Sequence, residues 1–226
     1  MPDTIADNIR RIAATLPPEV RLLAVSKFHP TEAILEAYEA GQRHFGESRV
    51  QELLPKTEAL PADVCWHFIG HLQTNKVRQL IGRCYLIESV DSLRLLDAID
   101  SESEKAGVVT RILLQVHVAL EETKFGFTPD EIRDYFARRQ FETLKATHIC
   151  GLMGMASNTD DIERITADFR AIRSIYDWIL ATCPDLRGFD TISMGMSDDR
   201  DIAIREGSTQ IRVGTDIFGI RDYSSH

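Results

Sequence analysis

Cysteine is scarce and scattered: Cys65, Cys84, Cys150 and Cys183 are all the chain has, with no CxxC pair among them. That spacing argues against a zinc site or a disulfide framework and favours buried free thiols in a reducing compartment. No run of about 18 apolar residues occurs, so nothing reads as a membrane span. The opening Met1-Pro2-Asp3-Thr4 carries an acid and no apolar core segment, unlike a signal peptide. Basic residues are outnumbered, 26 against 35 acidic, for a net charge of −9. A binder of the nucleic-acid backbone needs the opposite balance, so no nucleic acid is expected as a partner. Linkers rich in Pro, Gly or Ser are missing too, which leaves no place to divide the 226 residues. The expectation is one cytoplasmic domain over 1–226, long enough to bury a single large core.

What is present is alternation. Short apolar runs at 20–26, 44–46, 65–69, 85–90, 111–118, 148–155, 191–196 and 210–213 read as eight strands. Helical patterns separate them, at 31–41, 49–58, 76–81, 92–105, 129–139, 160–180 and 199–206, with a further helix over 4–15 ahead of the first strand. Pro55 interrupts the second of the interstrand helices. Strand–helix alternation implies parallel strands and right-handed crossovers, and eight is the number that closes a (β/α)8 barrel. An open doubly wound sheet is the alternative architecture. No helical pattern follows the last strand, and the N-terminal helix is expected to cover that gap.

In such a barrel the working face is built from residues just after each strand. Ser26-Lys27, Gly46-Glu47-Ser48, Gly70-His71-Leu72-Gln73, Glu88, Glu121-Glu122-Thr123-Lys124, Met155-Ala156-Ser157, Gly195-Met196-Ser197 and Gly214-Thr215 meet that condition. Gly207-Ser208-Thr209 precedes a strand and reads as a helix stop and turn.

Loops after the seventh and eighth strands often cradle a phosphate in this fold. Here they hold Gly195 and Ser197, then Gly214 and Thr215; the plainer reading makes Ser197 a helix cap and Gly214 a rim turn. Lys27 ends an apolar strand, where low-dielectric walls would favour a neutral, nucleophilic amine. Position alone favours a rim lysine paired to Glu47 or Glu88. His44, His67 and His71 straddle strand ends without helical spacing, so structural roles are favoured over a metal. Glu121 and Glu122 read as a solvated loop, and Met153, Met155, Met194 and Met196 as barrel packing.

Five strings in register carry a resemblance. They are Ala24-Val25-Ser26-Lys27, the run from Phe45 to Glu52, the run from Trp66 to Lys76, Ser193-Met194-Gly195-Met196-Ser197-Asp198-Asp199, and the run from Gly207 to Gly219. The chain resembles the pyridoxal phosphate homeostasis protein family across essentially its whole length. That resemblance implies a barrel like that of alanine racemase and the fold-type III decarboxylases, without their second domain. It implies pyridoxal 5'-phosphate as cofactor and Lys27 as the residue forming the Schiff base. It assigns Ser197, Gly214 and Thr215 to the phosphate and Arg212 to the pyridine nitrogen. A permanently charged guanidinium there weakens the ring as an electron sink. Met194 and Ser48 complete the implied contacts, but the family's usual Gly-Glu-Asn reads Gly46-Glu47-Ser48 here, so a water would bridge the shorter side chain.

Function then divides between a non-catalytic carrier, delivering cofactor to apo-forms of pyridoxal phosphate enzymes, and an amino-acid racemase or decarboxylase. Racemisation by the alanine racemase route needs a tyrosine from a second domain opposite the lysine. Tyr38, Tyr85, Tyr135 and Tyr176 fall within helices or a strand, and Tyr223 in the tail, so none is an evident substitute. The expectation is a monomeric carrier. Without the resemblance, a barrel enzyme using a phosphorylated sugar is the reading the residues favour.

Overall fold

The computed structural model describes residues 3–121 and 125–219. Glu122, Thr123, Lys124 and Tyr223, named above, lie outside the described residues. The strands are β1 (Arg21–Val25), β2 (His44–Glu47), β3 (Cys65–Phe68), β4 (Leu86–Val90), β5 (Thr110–Val116), β6 (Thr147–Gly154), β7 (Thr191–Ser193) and β8 (Gln210–Val213). Each pairs in parallel with the next, and β8 returns to β1 through Arg21–Gln210 to Ala24–Val213. The barrel is closed, which settles the architecture against an open sheet.

Helices α1 (Ile5–Ala13), α2 (Thr31–Glu39), α3 (Val50–Ala59), α4 (Val77–Leu80), α5 (Leu93–Ala106), α6 (Pro129–Ala137), α7 (Ile162–Thr182), α8 (Arg200–Arg205) and α9 (Thr215–Phe218) surround it. Their ends follow local chemistry. Thr4 and Thr128 close capping boxes with Asp7 and Glu131, and Ser92 caps α5. Pro55 does not end α3: it lies on the exposed side, while Val50, Leu53 and Lys56 bury one face. Burial of that face outweighs the one backbone hydrogen bond proline cannot make.

A helix does follow the last strand, contrary to expectation. It is the four-residue α9, too short to show a helical period in sequence. The N-terminal helix packs beside it and α2, and the Asn8 amide donates to the Ile217 carbonyl at 3.2 Å.

The main core lies between the strands and the helices, with Phe45, Phe68, Ile87, Leu114, Phe136, Phe169 and Ile211 almost wholly buried. Residues of opposite parity fill the barrel interior. Leu86, Leu113, Cys150 and Met153 form a small apolar cluster there. Glu88, His67, Ser193, Gln210 and Arg212 are also buried, so the filling is part apolar and part polar. Gly151 makes the irregular β5–β6 pairing possible: its φ is +153°, and a methyl there would overlap the Thr191 carbonyl.

Candidate functional site

Strand β1 delivers Val25 and Lys27 to the C-terminal mouth of the barrel. The turn after β7 is tied there to β8, and α8 to α9. The Arg212 amide donates to the Gly195 carbonyl at 2.9 Å, and the Arg200 guanidinium pairs with the Asp216 carboxylate. Within the first loop the Met196 amide donates to Asp199 Oδ1 at 2.6 Å. Gly195 adopts φ +95°, and a Cβ there would stand 2.5 Å from Ala203 Cβ, so the turn accepts no side chain. This turn also explains why β7 stops at Ser193, short of the predicted Met196.

Between these elements lies a cavity of about 240 Å³, lined by Val25, Lys27, Ile69, Met155, Met196, Ser197, Asp198, Arg212, Gly214 and Thr215. An amine, two hydroxyls and a guanidinium therefore converge from three strand ends. Five of the residues expected at the site, Lys27, Ser197, Arg212, Gly214 and Thr215, share this one lining. Two do not. Met194 is sealed in the layer between barrel and helices at 0% exposure, because the strand's alternation turns it outward, and Met155 and Met196 line the cavity instead. Ser48 is half-buried beside Gly70, where any Cβ would strike the Ser48 carbonyl, and it lies outside the cavity lining. A wider depression of about 720 Å³ adjoins the cavity, sharing Met155, Met196 and Asp198 with it.

Arg212 is the buried charge of the site, 5% exposed. Its Nη1 donates to the Ser193 carbonyl and hydroxyl, both at 2.7 Å, and its Nη2 to the Gly154 carbonyl at 2.9 Å. Burial pulls its pKa below the ordinary guanidinium value, against the opposing charges of Glu88 and Asp199. Beneath it a hydrogen-bonded line crosses the barrel. Ser193 Oγ donates to Glu88 Oε2 at 2.6 Å, and Gln210 Nε2 donates to Glu88 Oε1 at 2.7 Å. His67 Nδ1 meets Glu88 Oε1 at 2.5 Å, and its Nε2 meets His44 Nδ1 at 2.9 Å. Burial works to raise the Glu88 pKa, but the His67 hydrogen bond and charge, with Arg212, bring it below the usual carboxylate value.

The histidines divide as their parity dictates. His67 points into the barrel, whereas His71 sits at the rim, bound to Asp91 at 2.7 Å and stacked on Phe125. Among the described residues no group of three potential metal ligands assembles. Glu47 and Glu88, candidate partners of Lys27, are engaged inside the fold: Glu47 by Lys56 and Ser26, Glu88 by the line just described. Ser208 is a buried structural hydroxyl that donates to the Met194 carbonyl at 2.7 Å, consistent with its place before a strand. No helix is long and apolar enough to cross a membrane among the described residues.

Glu88, expected at the rim, is buried inside the barrel with Ser193 and Gln210, neither of which follows a strand. The available signal was a carboxylate inside Leu86-Ile87-Glu88-Ser89-Val90, at an inward-facing register.

Comparison with known proteins bears on this geometry. The family model described as "Alanine racemase, N-terminal domain" matches residues 2–222. The pyridoxal phosphate homeostasis protein of Aquifex aeolicus is 40% identical over 208 residues, covering 90% of this chain and 88% of its own. The protein of the same name from Schizosaccharomyces pombe is 37% identical, covering 89% and 84%. PipY of Synechococcus elongatus, solved with PLP bound, superposes with a TM-score of 0.88 at 39% identity, covering 96% of this chain and 100% of that one. The alanine racemase of E. faecalis, at 19% identity and a TM-score of 0.72, matches over 57% of its length and shows the shared fold alone. By both the family model and these identities, the chain belongs to the pyridoxal phosphate homeostasis proteins, within the alanine racemase N-terminal domain family.

Proposed function

We propose that this chain binds pyridoxal 5'-phosphate, held as a Schiff base on Lys27, and serves intracellular homeostasis of that cofactor as a carrier. The observation that carries this reading is the single cavity in which Lys27, Ser197, Arg212, Gly214 and Thr215 meet. The residues fit the group. The hydroxyls of Ser197, in the loop after β7, and Thr215, at the start of α9, suit a phosphate. Arg212, donor-only and anchored by three hydrogen bonds, suits an unprotonated ring nitrogen. Lys27, on the same cavity lining, would supply the amine to which the cofactor's aldehyde is joined.

When bound, the cofactor supplies an electron sink, and a guanidinium at the ring nitrogen restrains it. That restraint, with the homeostasis name shared by relatives at 37–40% identity, favours a carrier over a racemase or decarboxylase. Ser48, outside the cavity lining, would reach the ring only through a water. One domain over 1–226, acting as a cytoplasmic monomer that supplies apo-forms of pyridoxal phosphate enzymes, completes the proposal. The described cysteines, all free, agree with a reducing compartment.

The experiment is to add the cofactor to purified protein, reduce with borohydride and map the labelled peptide. One adduct on Lys27 is expected; no adduct, or one elsewhere, overturns the assignment. Exchange of the Cα hydrogen of L-alanine or L-serine in deuterated water at turnover rates would replace the carrier by an enzyme.

A further inference from the structure

Three charged side chains close around the backbone of Lys27 without lining the cavity. Glu47, the last residue of β2, is fully buried, and its Oε1 accepts from Lys56 Nζ at 2.8 Å and from Ser26 Oγ at 2.6 Å. The same Lys56 ammonium donates to the Ser26 carbonyl at 3.1 Å, the peptide oxygen on the N-terminal side of Lys27. On the other side, the Phe28 amide donates to Glu52 Oε2 at 2.9 Å, and Glu52 lies 4.0 Å from Lys56. Glu52 and Lys56 stand one turn apart on α3, so one rigid element grips the peptide groups before and after Lys27.

That grip holds an unfavourable backbone. Phe28 has φ +67°, a left-handed conformation that side chains with a Cβ resist. Arg49, at the start of α3, lays its guanidinium over the Phe28 ring at 4.6 Å. Such a residue persists only where its surroundings over-determine it. Burial of the Glu47–Lys56 pair also has a cost: a buried ion pair is seldom the most stable filling for its volume, so its presence calls for a reason other than stability.

We infer that Glu47, Lys56 and Glu52 are positioning residues that aim the Lys27 side chain into the cavity by clamping both of its flanking peptide groups. This rests on the reading of Lys27 as the attachment residue. The clamp acts on bond formation with an aldehyde and leaves phosphate recognition by Ser197, Gly214 and Thr215 untouched.

The test compares pyridoxal phosphate with 4'-deoxypyridoxine phosphate, which has the ring and phosphate but no aldehyde. Two variants carry it. Glu47→Gln combined with Lys56→Met removes both buried charges together and leaves neither orphaned. Glu52→Ala, at a partly exposed position, removes the bond to Phe28, while Glu52→Gln retains an acceptor oxygen and should restore it. The expected result is about tenfold weaker retention of the aldehyde and slower borohydride trapping in the first two, with the aldehyde-free analogue bound as in the wild type. Unchanged aldehyde retention in Glu52→Ala, or equal weakening of both ligands, overturns the inference. Should the double variant fail to fold, Glu52→Ala against Glu52→Gln decides alone. Failure of the wild type to trap the cofactor on Lys27 would instead remove the underlying reading.

Discussion

Glu88 and Arg212 share one hydroxyl: Ser193 Oγ donates to the carboxylate at 2.6 Å and accepts from the guanidinium at 2.7 Å. Two opposite charges in the barrel interior are thereby coupled through a neutral group, each keeping further partners of its own. Removing either charge leaves the other buried with less compensation.

A double-mutant cycle measures that relationship. Arg212→Met should lower stability by roughly 3 kcal/mol, because Glu88 loses its nearby cation and the Ser193 and Gly154 carbonyls lose a donor. In Glu88→Gln the further cost of Arg212→Met should be smaller by about 1–2 kcal/mol. Denaturant unfolding of the four proteins checks this; additive effects would show that Ser193 transmits no coupling.

Lys27→Ala should eliminate the borohydride-stable adduct while changing stability by no more than about 1 kcal/mol, since Lys27 is a half-buried rim residue outside the core. Mass spectrometry reads the adduct and a thermal melt reads the fold. Loss of both together would make Lys27 a structural residue.

His44 should govern a mild acid sensitivity. Burial, with His67 beside it, lowers its pKa from 6.5 to about 4. Below pH 6.5 the unfolded chain takes up a proton that folded His44 refuses until about pH 4, so stability falls as pH drops through that window. Because the ring is partly exposed, the loss should be only about 1–2 kcal/mol. His44→Gln, which keeps an amide to meet His67 and does not titrate, should flatten the stability profile between those values. Urea midpoints at pH 7 and pH 4.5 compare the two proteins.

Gly195→Ala should cost roughly 2–4 kcal/mol, since φ +95° and a 2.5 Å approach to Ala203 Cβ both oppose a methyl group. The same change displaces the Ser197 loop, so phosphate-dependent retention should fall with stability. Equilibrium dialysis with 4'-deoxypyridoxine phosphate, beside a thermal melt, checks both; a variant with wild-type values would mean the turn readily adapts.

All eight strands were legible because their apolar runs are bounded by Gly, Pro and polar turns, and eight alternations permit few closures. The boundaries moved where the signal was tertiary. β7 ends early because of the Gly195 turn, and α3 continues through Pro55 because Val50, Leu53 and Lys56 are held against the barrel. At the site, the rule that working residues follow strands gathered Lys27, Ser197, Gly214 and Thr215, while Arg212 entered through the family resemblance. Met194 falls outside the cavity lining because the alternation along β7 turns it toward the helices. Lys56 went unseen since a lysine in a helix reads as solvated; its spacing of three from Leu53 and six from Val50 was the clue that it faced inward.

The division of the barrel interior has a consequence for how this sequence tolerates change. Leu86, Leu113 and Met153 can exchange with other apolar residues of similar volume, one position at a time. His67, Glu88, Ser193 and Gln210 form an interlocked set, in which each single replacement strands a neighbour's donor or acceptor. A saturation library of the barrel lining should therefore be permissive on one side and nearly silent on the other. Viable apolar versions of the polar side should surface only as multiple simultaneous replacements.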